Sequence, residues 1–597
     1  MQPVRFEIAE CPPAAVARLR LELGVSDALA QVLVRRGLSE PADARAFLDA
    51  AEEHPPGAFA GIERAVASIL GQLRAGARIT VHGDYDVDGV CSAGVLVRAL
   101  RRLGADVDSY LPDRAADGYG LAAATVQRLA ARGTQLLVSV DCAITAVEEV
   151  ALARRLGMEV VITDHHAPRA DGVLPDAPIV HPALCGYPCA ELCATAVAYK
   201  LAQALFTAAG RDPRELEEDL DLVALATVAD VVALVGENRA LVRRGLRALA
   251  STGKPGLRAL MAVAGVDASR VDERALGFAL APRLNAAGRL YRADAGLELI
   301  LTEDPARARQ IAAELDAANR ERRQVETLIR FQAEAQMAAL GEQPAYVLAG
   351  EGWHAGVIGI VASRLVERSG RPVVLIALAG ETGRGSGRSI GSFDLLAGLN
   401  ACAGHLLGHG GHSAAAGLEI ERGRVEDFAA AFRAHAERAL ASADLGACER
   451  VDAVVAGAEL GMDLAEELQT LAPFGQGNPT VSLMIADASF SDARPMGEGK
   501  HVRFTVSSGG ARARAVAFGT GGRLPVPAGE PALATFTLEV NEWRGVSEPR
   551  LVLRRAHGAA AAPARGQRGR PAHAQEAIAG AIAPAEEAEE LVLFALP

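Results

Sequence analysis

Four short apolar runs separated by helical stretches limit this chain more than any other feature. Ile79-Thr80-Val81, Val107 to Leu111, Leu136 to Val140 and Val160 to Thr163 alternate with Ser92 to Leu103, Thr125 to Ala131 and Ala146 to Leu156. Such strand–helix alternation predicts a parallel sheet with crossover helices, and so an α/β fold. The acids and histidines fall where such a sheet opens. His82, Asp84, Asp86 and Asp88 follow the first run, Asp141 the third, and Asp164, His165 and His166 the fourth. Because the carboxyl ends of parallel strands line the ligand crevice, three separated segments are expected to meet at one site.

Carboxylate and imidazole donors together suit Mn²⁺ or Mg²⁺, whereas a zinc site would usually bring cysteine. Taken alone, the segment VHGDYDVDG also reads as a solvated acidic turn. The repetition of the pattern at Asp141 and His165 argues for ligation, and so does Asp230 within the apolar LALATVADVVAL. A carboxylate buried there needs a metal or charged neighbour.

The 597 residues divide by pattern. An N-terminal segment (1–50) precedes a first α/β domain (51–302). Residues 303–340 have apolar positions at Ile311, Leu315, Val325, Leu328 and Ile329, with one proline near the start and no glycine, and read as a single helix of about 50 Å. A smaller Gly-rich α/β domain (341–445) and an OB-like β-barrel (446–556) follow, and then a low-complexity flexible tail (557–597). The tail ends in an acidic run and the apolar peptide 591–597, which is either a docking segment or an unattached end.

The composition, 50% hydrophobic and 23% charged, excludes a wholly disordered chain. No stretch of about 18 uncharged apolar residues occurs, and the start shows no basic segment followed by an apolar core, so a cytoplasmic protein without a membrane partner is expected. The eight cysteines show no disulfide pattern, and Cys185, Cys189 and Cys193 read as packing residues. The net charge of -13 advertises no polyanion partner, but residues 499 to 556 carry nine basic residues against four acids. With Phe504, Phe518 and Trp543 as stacking candidates, that region matches how barrels hold single strands; the aromatics could equally be core.

Small residues in GHGGHSAAAG, with His409, Gly410, Gly411 and His412, allow close backbone approach to a phosphate, as tight packing turns also would. Arg388 and Ser389 in GRGSGRSIG add a guanidinium and a hydroxyl.

These segments resemble a known family. VHGDYDVDG, LPDRAADGYG, VSVDCAIT, VITDHH and ATVADVV are similar, in order, to the motifs of the DHH phosphoesterases. GWHAGVIGIVASRL, GRGSGRSIGSFDL and GHGGHSAAAGL resemble the DHH-associated domain, and LAPFGQGNPTV with the following β-region resembles the barrel of the family's single-stranded-DNA exonucleases. The resemblance covers roughly residues 50 to 556. It implies metal-dependent 5′→3′ hydrolysis of single-stranded DNA in recombination and repair, using two divalent cations, Mn²⁺ or Mg²⁺. It places ligands at His82, Asp86, Asp88, Asp141, His165 and Asp230, with Asp141 bridging, His166 beside the scissile phosphate, and Asp84 as an alternative to His82. In-line attack without a covalent intermediate is expected.

Arg114 resembles the arginine that meets the DNA 5′ end, and Arg283 and Arg289 in APRLNAAGRL are candidate backbone contacts; each could instead sit in a surface ion pair. Ala143 stands where family members more often carry glycine, which puts the loop geometry in question. A monomer is expected, with single-stranded-DNA-binding protein or a RecQ-like helicase as candidate partners of the tail. The alternatives are an oligonucleotide or cyclic-dinucleotide phosphodiesterase, which usually ends before a barrel, and an inactive replication scaffold, which loses metal ligands.

Overall fold

In the computed structural model, which describes residues 5–112, 120–290, 294–441, 448–543 and 545–558, the chain forms two units. The larger comprises Glu52–Ala443 with Gly475–Asn478. Its first sheet contains β1 (Ile79–His82), β2 (Val107–Tyr110), β3 (Leu136–Val140), β4 (Glu159–Thr163) and β5 (Ile179–Val180), all parallel, in the order β2-β1-β3-β4-β5. β1 and β3 are buried along their whole length, as strands covered by helices on both faces must be. The helices that matter for the site are α1 (Val87–Arg102), α2 (Ala194–Ala208), α3 (Leu220–Ala229) and α4 (Ala281–Leu290).

The long helix read from the sequence is α5 (Pro305–Leu340), started by Asp304, whose side chain accepts the Ala306 N–H. Its first half buries Ile311 and Leu315 in the core of the first sheet. Its second half buries Ile329 and Ala333 in the core of the second sheet. One amphipathic helix therefore serves two cores. The second sheet contains β6 (Tyr346–Glu351), β7 (Val373–Ala379), β8 (Thr382–Arg388), β9 (Gly408–Gly411) and β10 (Ala415–Glu421) in the order β9-β10-β8-β7-β6, with α6 (Ala355–Ser369) packed on it.

The smaller unit takes in the N-terminal segment over its described residues. Met1–Ala51 joins Asp444–Phe474 and Pro479–Glu589, over their described residues. The strand Arg5–Glu7 pairs in parallel with Cys448–Arg450. Leu29, Val32 and Leu33 of the helix Asp27–Arg35 lie in the same core as Phe490, Phe504, Phe536 and Leu551. The cause is elementary: that helix has one apolar stripe and nothing within residues 1–50 large enough to cover it. Each of these side chains contributes about 1.5–3 kcal/mol when buried. The barrel is β11 (Leu483–Met496), β12 (His501–Ser508), β13 (Ala511–Ala517), β14 (Ala532–Trp543) and β15 (Val546–Gly558). The order β11-β12-β13-β15-β14 closes through a β11–β14 pairing. All eight cysteines are free, and among the described residues no helix is long and apolar enough to cross a membrane.

Candidate metal centre

The expected convergence is present at the carboxyl ends of β1, β3 and β4. Asp84, Asp86 and Asp141 bring ligand atoms within 4.8 Å of one another, as do Asp88, His165 and Asp230, and Asp141, His165 and His166. His165 Nε2 lies 3.8 Å from Asp88 Oδ2, 3.4 Å from Asp141 Oδ1 and 3.7 Å from Asp230 Oδ2. Neither His165 Nε2 nor Asp141 Oδ1, both buried, makes a hydrogen bond among the described residues. Burial, and then the charges of Asp88, Asp86, Asp84 and Asp230, push the Asp141 carboxyl well above the usual range. Asp230 is raised by burial and by Asp88 and Asp86, and Asp86 by burial and Asp88. Burial lowers His165, which leaves its ring neutral and able to ligate. Hard oxygen donors with two imidazoles, crowded until they resist ionisation, fit divalent cations of the Mn²⁺ or Mg²⁺ kind.

His82 joins none of these groups among the described residues. It is fully buried, its ring stacks on Tyr110 at 5.7 Å and its Nδ1 lies 3.4 Å from Cys142 Sγ. Asp84 is the member of the open pair that the fold brings to Asp86 and Asp141.

Each ligand is held by groups from elsewhere in the chain. Asp86 caps α1, accepting the Gly89 N–H at 3.1 Å. Gly89 is obligatory, because a Cβ there would meet the Asp84 backbone at 2.4 Å. Asp88 accepts the N–H groups of Ala194 and Thr195, at the start of α2, at 2.7 and 2.8 Å. Asp141 has φ +61°, Ala143 φ +83° and Val231, just after Asp230, φ +59°. Left-handed backbone at non-glycine residues beside ligands is strain of the sort that collects at functional sites. The doubt over Ala143 thus has a concrete form: its methyl sits on a backbone that favours glycine.

Asp164, left without a role in the sequence reading, orients the site. Its Oδ1 lies 2.8 Å from His166 Nδ1 and accepts the N–H of His165 at 2.7 Å, while its Oδ2 accepts the Ile144 N–H at 2.9 Å. Burial pushes the Asp164 carboxyl up, but the His166 hydrogen bond and charge outweigh it and hold the group below its usual range. Burial would lower His166, but its bond to Asp164 and the charges of Asp164, Asp86 and Asp88 raise it.

In the second sheet Arg388 pairs with Ala415, and Gly411 with Ala416, so Arg388, Ser389, Gly411 and His412 fall at one end of the two strands that flank β10. Gly411 has φ +137°, and a Cβ there would lie 2.5 Å from the Ala416 Cα. Arg388 Nη1 donates to Ser386 Oγ at 3.0 Å and the Gly387 carbonyl at 2.8 Å. His409 Nε2 lies 2.7 Å from Asn400 Oδ1, and Gly410 pairs with Gly417.

Some expectations meet other partners. The Ser389 hydroxyl donates to the Phe393 carbonyl at 2.7 Å. Arg283 is the ion-pair alternative, its Nη2 lying 2.9 Å from Asp316 of α5. Phe504 is core, edge-packed on Phe490, whereas Phe518 is 51% exposed. Arg114, the side chains of Arg289 and Trp543, and the tail from residue 559 lie outside the described residues.

Comparison with known proteins defines the class first. The DHH family, N-terminal domain, matches residues 78–227, the DHHA1 domain residues 342–438 and the RecJ OB domain residues 451–555. The chain is 36% identical to the single-stranded-DNA-specific exonuclease RecJ of Bacillus subtilis, over 93% of this chain and 71% of that protein. With the protein of the same description from Escherichia coli it shares 38% identity over 82% and 88%. The crystal structure of RecJ in complex with Mn²⁺ from Thermus thermophilus superposes with a TM-score of 0.82 at 32% identity, over 93% of this chain and 79% of that one. The corresponding Mg²⁺ complex gives 0.76 at 30% identity, over 93% and 78%. The chain belongs to the RecJ family of single-stranded-DNA-specific exonucleases.

Proposed function

We propose that this protein hydrolyses single-stranded DNA from the 5′ end, releasing nucleotides in recombination and repair, with two divalent cations, Mn²⁺ or Mg²⁺. The observation that carries the reading is the approach of Asp88, Asp141 and Asp230 to the buried His165 Nε2, which makes no hydrogen bond among the described residues. In this reading Asp84, Asp86 and Asp141 would hold one ion and Asp88, His165 and Asp230 the other, with Asp141 contributing to both. When bound, the ions supply the positive charge that activates water and offsets charge on the attacking and leaving oxygens.

The chain's own residues do the positioning. Asp164 engages Nδ1 of His166, and we assign the other ring nitrogen, Nε2, to the scissile phosphate. We assign Arg388, Gly411 and His412, with Arg114, to the terminal 5′ phosphate, whose extra charge strengthens arginine contacts. The place of Arg388, Gly411 and His412 at one end of the second sheet supports this. Arg283 and Ser389 support the fold in this assignment. The reading includes a cytosolic monomer whose peptide 591–597 docks on single-stranded-DNA-binding protein or a RecQ-like helicase; the apolar peptide after an acidic run supports that docking.

The test is parallel digestion, with Mn²⁺, of 5′-labelled and 3′-labelled single strands, a duplex and a cyclic dinucleotide. Immediate release of the 5′ label as a nucleotide, with duplex and cyclic dinucleotide intact, is expected. Earlier release of the 3′ label, or cleavage of the cyclic dinucleotide alone, would overturn the reading.

A further inference from the structure

The first N–H groups of a helix have no partner within it. In α1 Asp86 takes the Gly89 N–H, but the Val87 N–H goes to Asn285 Oδ1 at 3.0 Å, 198 residues along the chain. Asn285 lies on α4. The same helix touches the acidic loop again at Gly288, where a Cβ would lie 2.6 Å from the Tyr85 carbonyl oxygen. It is anchored in turn to α5: Arg283 Nε and Nη2 lie 3.0 and 2.9 Å from Asp316 Oδ1, and Nη1 donates to the Ala279 carbonyl at 2.6 Å. The turn preceding α4, Leu276–Leu280, is π-helical, a form that recurs at functional sites.

We propose that Asn285 is a positioning residue of the metal centre. An N-cap side chain serves the N2 or N3 N–H, as Asp86 does for Gly89, so the N1 donor of Val87 needs an acceptor from outside the helix. By supplying it Asn285 ties the turn that carries Asp86, and so the carboxylate facing Asp84 and Asp141, to α4, and the Arg283–Asp316 pair fixes the helix that presents it. The proposal rests on the metal-dependent reading above.

The test compares Asn285→Leu, similar in size but without an acceptor, with Asn285→Asp, which keeps Oδ1. Mn²⁺ binding to protein stripped with chelator is measured by titration calorimetry, alongside metal-free melting and nuclease kinetics. Loss of an outer-shell partner weakens metal binding about 10–100-fold, and Asn285→Leu is expected at the lower end of that range. Its turnover should recover at saturating Mn²⁺, with KM for DNA little changed, and Asn285→Asp should bind Mn²⁺ nearly as wild type does.

Unchanged Mn²⁺ affinity in Asn285→Leu, with only a lower melting temperature, would mean a structural role and overturn the proposal. Equal losses in both variants would do the same. Should Asn285→Leu not fold, Asp316→Asn loosens α4 from a distance and is expected to raise the Mn²⁺ dissociation constant about twofold; no change there counts against the proposal. Wild type that binds no Mn²⁺ overturns the functional reading itself, and the proposal with it.

Discussion

Thr195 holds Asp88 twice: its N–H and its hydroxyl both reach Oδ1, at 2.8 and 2.6 Å. With the Ala194 N–H on Oδ2 at 2.7 Å, the start of α2 surrounds a fully buried carboxylate with donors and points its helix dipole at the charge. Asp88 is thereby held and aimed by a segment 107 residues away. The Thr195→Val variant should lose about 1.5–3 kcal/mol of stability, as for a hydrogen bond to a charged group, and bind Mn²⁺ at least about tenfold more weakly. Denaturant unfolding and calorimetry measure the two effects, and intact Mn²⁺ affinity would show that the backbone donors suffice.

Replacing Asp141 by Ala should abolish hydrolysis while leaving the metal-free fold at least as stable as wild type. The change removes a carboxyl group that burial and four neighbouring acids hold well above its usual range. Melting in chelator, followed by a nuclease assay with Mn²⁺, checks both halves. A folded Asp141→Ala protein with near wild-type activity contradicts the role given to this residue.

The raised carboxyls of Asp86, Asp141 and Asp230 set the pH dependence of the metal-free protein. Each binds its proton more tightly folded than unfolded. The stability they contribute is complete below the unfolded value, near 4, and is lost as pH rises through the folded values. Cations need the ionised forms, so the gain in melting temperature on adding Mg²⁺ should grow with pH over the same window. Comparison with Asp141→Asn cancels other titrations: the fall in metal-free stability with pH should be steeper in wild type, and equal slopes would refute it.

An alanine at φ +83° costs about 1–2 kcal/mol relative to glycine, partly offset by glycine's greater freedom in the unfolded chain. Ala143→Gly should therefore stabilise the protein by about 1 kcal/mol with nuclease activity preserved. A loss of stability on chemical denaturation would mean that packing of the buried methyl outweighs backbone strain.

On the barrel, Arg494 and Arg503 lie directly opposite one another on β11 and β12 and are both exposed. Neither has a carboxylate partner among the described residues. Arg512 and Arg514, basic residues of the same sheet, are neutralised by Asp492 and Glu548. Like charges directly across a sheet are unfavourable, and a phosphate backbone relieves them. The Arg494→Glu/Arg503→Glu variant should bind long single strands more weakly and lower the salt slope by about 1.4, at about 0.7 for each phosphate no longer neutralised. Cleavage of substrates a few nucleotides long should barely change. Equal losses on short and long substrates would remove the barrel as a strand-holding element.

Much of this protein was legible along the chain. The alternation after residue 77 announced the parallel sheet, and the acids and histidines at the run ends announced the cluster, because side-chain period and donor type are local properties. Asp84 against His82, and Arg283 as DNA contact or ion pair, stayed open because both members of each pair are chemically suitable. Only the fold placed Asp84 beside Asp86 and buried His82 against Tyr110. Phe504 and Phe518 look alike in sequence, but Phe504 is buried in the barrel core and Phe518, just past a strand end, is exposed.

What the sequence by itself determined was the class of fold, the metal-binding chemistry and the residues able to carry it, all of which follow from periodicity and side-chain type. Tertiary structure alone decided which partner completes each of them. Asp164 became the support of His166, Thr195 the support of Asp88 and Asn285 the acceptor for Val87, and residues 5–50 became part of the barrel's unit. A buried donor or apolar stripe must be satisfied by whatever lies across the fold, and no pattern along the chain records which group that will be.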